Sequence, residues 1–247
     1  MPPSVGPLSS TVGAGGVLVV SARVVAKVGS DGAAGRGLAA AGGVLVEAVD
    51  TASGSAVRVV RPDSGRVVHQ VGLPGGMRAG GLALVPAGLW QLVFDGGVAV
   101  LRDPVTLQET RRVGFVGEGW GLCHTGEVLV HSDGANRLVL RHPERFVEVG
   151  SVRITGHWAA AQRLGGLACV HVDGRPQVWA LVSGSDWVVR VELSGGRVTA
   201  VASIARIRAE VPGLVGAASG IAPAGEADLF WVSGPFPYRF KIRLRAG

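Results

Sequence analysis

The chain has 247 residues, 47% apolar but only 5% aromatic, and a formal net charge of +6 carried almost wholly by arginine, because Lys27 and Lys241 are the only lysines. That length suits one domain with a large core. The arginines are scattered, with only Arg111 and Arg112 adjacent, so they read as solvated strand faces rather than a basic stripe for nucleic acid, and no segment is fit to span a membrane.

Residues 1–16, rich in Pro, Ser and Gly, predict a flexible lead, and 17–247 one domain. Val17 to Val28 alternates and clusters valine as a strand does. Next comes a repeated unit of short Val-rich segments, each opened by Gly-Leu or Gly-Ile: Gly37-Leu38, Gly81-Leu82, Gly121-Leu122, Gly166-Leu167 and Gly220-Ile221. Turn signals such as Asp31-Gly32, Asp95-Gly96, Asp133-Gly134 and Asp173-Gly174 punctuate the units. Repeats of roughly 40 to 50 residues made only of strands have the period of a β-propeller blade. The expected fold is all-β, a five-bladed β-propeller. Its last unit shows three strands, and Val17 to Val28 is the natural fourth, closing the ring and removing two sheet edges. The long connection Arg206 to Ala218 has room for a short helix or a loop.

A propeller sets equivalent residues of every blade around one channel. The residue before each Gly-Leu pair therefore forms a candidate ring: Arg36, Gly80, Trp120, Gly165 and Ser219. Cys123 and Cys169 lie in apolar segments; two core thiols are the favoured reading and one disulfide the alternative. The six histidines, among them His131 beside Ser132, show no metal-ligand spacing. No phosphate loop or nucleophile elbow occurs, so no cofactor or metal is implied. The N-terminus lacks the basic start of a signal peptide, and the expected location is cytoplasmic.

The third unit reads Glu118-Gly119-Trp120-Gly121-Leu122, then Ser132-Asp133-Gly134, then Arg141 to Phe146. This resembles the plant and bacterial type of glutaminyl-peptide cyclotransferase (glutaminyl cyclase), a five-bladed propeller family with EGWGL, SDGS and DPxTF stretches there. Ala33 to Leu38, Gly80-Gly81-Leu82, Gln91 to Phe94, Leu164 to Ala168, Ser219 to Ala222 and Ser233 to Pro237 are similar to further family motifs in the same order. The resemblance implies closure of an N-terminal glutamine to pyroglutamate with loss of ammonia. A carboxylate shuttles protons, amide and cationic donors steady the oxyanion, and aromatic walls hold the substrate.

Carried over position by position, the family's shuttling Glu falls on Gly80, its Asn on Gly165, its Lys on Pro235 and its Phe and Gln on Ala34 and Arg36. One wall Trp becomes Phe94, another falls on Ser183, and Trp120 is kept, with Glu118 and Asp133 beside it. Loss of a general acid/base removes about two to four orders of magnitude in rate. The expectation is therefore a member with a weakened or changed cyclisation, or a pseudoenzyme used for binding or assembly. Its ligand would be a small molecule or a peptide N-terminus in the channel.

Each candidate has two readings. Glu118 and Trp120 are the candidate catalytic pair. Glu118 is alternatively, and preferably, a carboxylate bonding backbone between blades, and Trp120 a structural neck residue. Arg36, Phe94, Asp133 and Ser183 are candidate substrate-binding residues. Arg36 would suit an anion or else face solvent, and Asp133 is most simply a turn residue.

Overall fold

The computed structural model describes residues 16–156, 163–211 and 216–246; the expected lead lies almost wholly outside them. After β1 (Leu18–Gly29), the chain makes a sheet of β2 (Ala34–Ala41), β3 (Val44–Thr51), β4 (Gly54–Val60) and β5 (Val67–Gly72). A second contains β6 (Ala79–Val85), β7 (Gly88–Val93), β8 (Val98–Arg102) and β9 (Glu109–Gly114), and a third β10 (Gly121–His124), β11 (Leu129–Ser132), β12 (Arg137–Arg141) and β13 (Glu148–Arg153). Next come β14 (Leu164–Val172), β15 (Arg175–Val182), β16 (Trp187–Glu192) and β17 (Val198–Ser203), the short α1 (Arg206–Ala209), then β18 (Gly220–Ala224), β19 (Glu226–Ser233) and β20 (Tyr238–Ala246).

Within each four-strand set, sequential neighbours pair antiparallel. β1 pairs antiparallel with β20 and also parallel with β17, so one eight-stranded sheet runs from β14 to β18. The Val17–Val28 segment thus supplies the missing neighbour of β20. The first strands of the sets touch in cyclic order: β2 on β6, β6 on β10, β10 on β14, β14 on β18, and β18 back on β2. The sheets are therefore arranged as in a propeller. Middle strands are covered on both faces, as in the wholly buried β7, whereas the outer β9 is mostly exposed.

The glycines of the repeat have a physical cause at this ring. A Cβ on Gly37 would lie 2.3 Å from the Gly80 carbonyl oxygen, one on Gly121 2.1 Å from that of Gly165, and one on Gly166 2.4 Å from that of Ser219. Neighbouring first strands approach so closely that no side chain fits between them. Leucine follows because that next position is enclosed: Leu38, Leu82, Leu122, Leu167 and Ile221 are all buried.

Two expectations are corrected here. The cysteines are not two thiols: Cys123 and Cys169 form a disulfide, because β10 and β14 are adjacent and bring their Cα atoms to 5.5 Å. Nor are all arginines solvated. Arg58 and Arg239 are 1% exposed, since both bind the equally buried Glu47. Arg58 also makes a two-pronged contact with Asp31, whose carboxyl its guanidinium holds down at about 2. Arg102 and Arg141 are buried against Gln91 and His131. A guanidinium survives burial when its donors all find acceptors.

Candidate functional site

The N-terminal ends of the first strands share one end of the axis with the turns that follow the second strands. There, Gly119 donates its N–H to the Phe94 carbonyl (2.7 Å), Phe94 to that of Arg78 (2.9 Å), and Trp120 to that of Ser132 (3.2 Å). These bonds bring Phe94 and Trp120, from different sheets, to a centroid distance of 5.2 Å at 40°. The Trp120 indole lies on Gly134: a Cβ there would meet ring atoms at 2.6 Å, and the positive φ of 78° suits glycine. The Ser-Asp-Gly turn therefore leaves space for the indole.

Glu118 was expected to bond backbone. Instead its carboxylate accepts the Trp120 indole N–H at 2.6 Å, because the indole two residues on lies within reach. It is the Glu118 carbonyl that makes the cross-strand contact, to His131 Nε2 at 2.7 Å. His131 Nδ1 faces Arg141 Nε at 3.1 Å. Arginine can only donate, so Nδ1 accepts and Nε2 carries the proton given to the carbonyl. Burial, then the Arg141 charge, push the imidazole down to about 4, so at neutral pH it is uncharged. His131 is thus a buried strand residue beneath the Glu118–Trp120 segment.

The other candidates are dispersed around the same end. Arg36 sits at a bulge in β2, and its Nε reaches back 2.6 Å to Asp50 of the same hairpin, which neutralises its charge. Asp133 accepts the Ala135 N–H at 3.1 Å, as a turn residue does, and pairs with Arg137 at 2.8 Å. Ser183 is half-buried and donates its N–H to the Arg163 carbonyl at 2.8 Å. Ser219 donates its hydroxyl to the Gly35 carbonyl. Gly80 has no room for a side chain, with a Cβ placed 2.1 Å from the Gly119 oxygen, whereas Gly165 does, its nearest atom being Leu181 O at 3.6 Å.

Two arginines were missed. Arg163 lies 5.8 Å over the Trp120 ring and Arg78 4.6 Å over that of Phe94, Arg78 also pairing with Asp95 at 3.2 Å. Arg163 stands two residues before ring position Gly165, a spacing that could have flagged it. A cavity of about 160 Å³ opens at the opposite end of the first strands, lined by Leu84, His124, Cys169 and Pro223 among others, and by no ring residue. Among the described residues no group of three His, Cys, Asp or Glu is placed to hold a metal ion, and no helix is long and apolar enough to cross a membrane.

Sheets set around an axis, with an aromatic pair and a carboxylate at one end, define a propeller-type scaffold. The chain belongs to the glutamine cyclotransferase family, which it matches over residues 8–244. It is similar to the crystal structure of Myxococcus xanthus glutaminyl cyclase, with 25% identity and a TM-score of 0.82 over 94% of this chain and 99% of that one. Kuenenia stuttgartiensis hydrazine synthase (14% identity, TM-score 0.50, covering 81% of this chain and 55% of that one) shares the fold alone. So does the Neurospora crassa Pan2 WD40 domain (7%, 0.51, 85% and 74%). No curated protein sequence matches the chain.

Proposed function

We propose that the chain is a five-bladed glutaminyl cyclase-like propeller whose mouth takes a small molecule or a peptide N-terminus and carries out a weakened or altered cyclisation. The cyclic contacts of β2, β6, β10, β14 and β18 support the blade count. The observation that carries the function is Glu118, exposed and held 2.6 Å from the indole N–H of Trp120 beside Phe94. In the cyclisation of glutamine, the α-amine attacks the side-chain amide carbon, its proton is handed on, and ammonia leaves as the lactam closes. Phe94 and Trp120 are the walls for that folded substrate. Glu118 replaces the carboxylate that position 80 cannot hold, taking the proton from the amine and returning it to the leaving nitrogen.

Ammonia release from a glutaminyl peptide tests this. The wild type should exceed the uncatalysed rate, and Glu118→Gln should lower it by about a hundredfold or more. A wild type no faster than Trp120→Ala, with both at the blank rate, leaves the second reading: a propeller that binds without chemistry. One observation favours that alternative, the missing space at Gly80. The Cys123–Cys169 disulfide favours an oxidising compartment over the cytoplasm expected from the sequence, because cytosolic thiol buffers reduce such bonds.

A further inference from the structure

Several charges around the mouth are paired. Arg36 pairs with Asp50, Arg78 with Asp95, Arg137 with Asp133, and Arg208 with Asp186. Two others are not. Glu118 accepts the Trp120 indole N–H but pairs with no cation among the described residues, and Arg163 stacks over the same indole with no carboxylate partner among them. Opposite charges thus flank one aromatic ring without contacting each other. Beside Arg163, the bare Gly165 puts no side chain at the ring, and a Cβ there would meet Leu181 O at 3.6 Å, an ordinary contact.

We infer that the mouth binds a free α-amino acid as its zwitterion, with the ammonium at Glu118 and the α-carboxylate at Arg163, across the face of Trp120. The inference rests on the reading of the mouth as a ligand site and narrows its ligand class. An α-amino acid carries one positive and one negative group on a single carbon, which matches one uncompensated carboxylate and one uncompensated guanidinium. A guanidinium binds a carboxylate through a two-pronged fork, so it selects for that group's presence. A peptide N-terminus offers the ammonium alone, because its first carboxyl is already an amide, and leaves Arg163 unpaired.

Calorimetric titration of the whole protein with L-glutamine and with L-glutamine amide, which differ only in that carboxylate, decides the matter. L-Glutamine should bind about tenfold more tightly than the amide. Arg163→Gln should bring the two to equal affinity, and Arg163→Lys should restore part of the difference. Arg163 is exposed, so these variants should keep the wild-type unfolding midpoint. Glu118→Gln should weaken both ligands alike. Equal affinity in the wild type, or discrimination that survives Arg163→Gln, overturns the zwitterion while leaving the mouth a ligand site for peptide N-termini. If neither compound binds, the site reading itself is wrong and the zwitterion is lost with it.

Discussion

The two ends of the first strands come from one repeat, yet they are built on opposite rules. At the mouth the repeat removes side chains: a Cβ at Gly37, Gly121 or Gly166 would collide with a neighbouring carbonyl. At the far end it fills space with enclosed Leu and Ile, and a disulfide crosses from β10 to β14. Features that recur in every unit therefore set the spacing of the sheets. Features that occur once, such as Trp120, Glu118 and Arg163, are the ones to which the proposed chemistry is assigned. On the proposed reading, stability and function divide by position within the repeat rather than by sheet.

Gly121→Val should give the largest effect on that division. Its Cβ would stand 2.1 Å from Gly165 O and 2.8 Å from Ser132 Oγ, so β10 and β14 must part. A cost above about 4 kcal/mol is expected in urea unfolding, if the variant folds at all. The far end should be next. Replacing both Cys123 and Cys169 by Ala frees a loop of 46 residues and should lower stability by about 2 to 4 kcal/mol. Dithiothreitol should lower the unfolding midpoint of the wild type and leave that of the double variant unchanged. An unchanged midpoint in the double variant would show that the far end is held by packing alone.

The repeat, and with it the cyclic arrangement of strands, was legible because Gly-Leu marks a constraint met once per unit. The strand that completes the β20 sheet was legible because an unpaired edge needs a partner. The disulfide was not, since two cysteines in apolar strands look the same whether or not their strands touch. The buried arginines escaped for a similar reason. Whether Arg58 or Arg239 is solvated depends on Glu47, which is distant in the chain from Arg239 but bound to it at 2.8 Å. At the mouth, motif likeness located Trp120 and Phe94. It could not show that Arg36 is neutralised within its own hairpin or that Arg163 reaches the indole, because both depend on side-chain direction at bulged strands.

Beneath the mouth, His131 links the two rules, since its fixed tautomer supports the Glu118 carbonyl. Its folded value of about 4 lies below the ordinary 6.5. The unfolded chain therefore takes up a proton first as pH falls, and the native state loses stability between about pH 6.5 and 4. The full loss is about 3 kcal/mol. Gln91 occupies the same register in the preceding sheet, opposite Leu82 as His131 is opposite Leu122, and accepts from Arg102 at 2.8 Å. His131→Gln should thus keep the fold at pH 7 and flatten the decline in unfolding free energy down to pH 4. A decline as steep as in the wild type would place the acid sensitivity elsewhere.

The smallest effect on stability should come from Gly165, although it belongs to the same ring as Gly80. The nearest atom to a Cβ there is at 3.6 Å, an ordinary contact, against 2.1 Å at Gly80. Gly165→Ala should cost less than about 1 kcal/mol, whereas Gly80→Ala should cost several times more. The same difference governs attempts to rebuild the mouth. Gly165→Asn places an amide where the glutaminyl cyclase pattern has one, and should raise ammonia release from a glutaminyl peptide as its donor meets the developing oxyanion. Gly80→Glu should fail through the backbone before its carboxylate can act. If Gly165→Ala proved as damaging as Gly121→Val, close strand approach would not be what the recurring glycines serve. The bare positions at the mouth would then need an explanation other than packing.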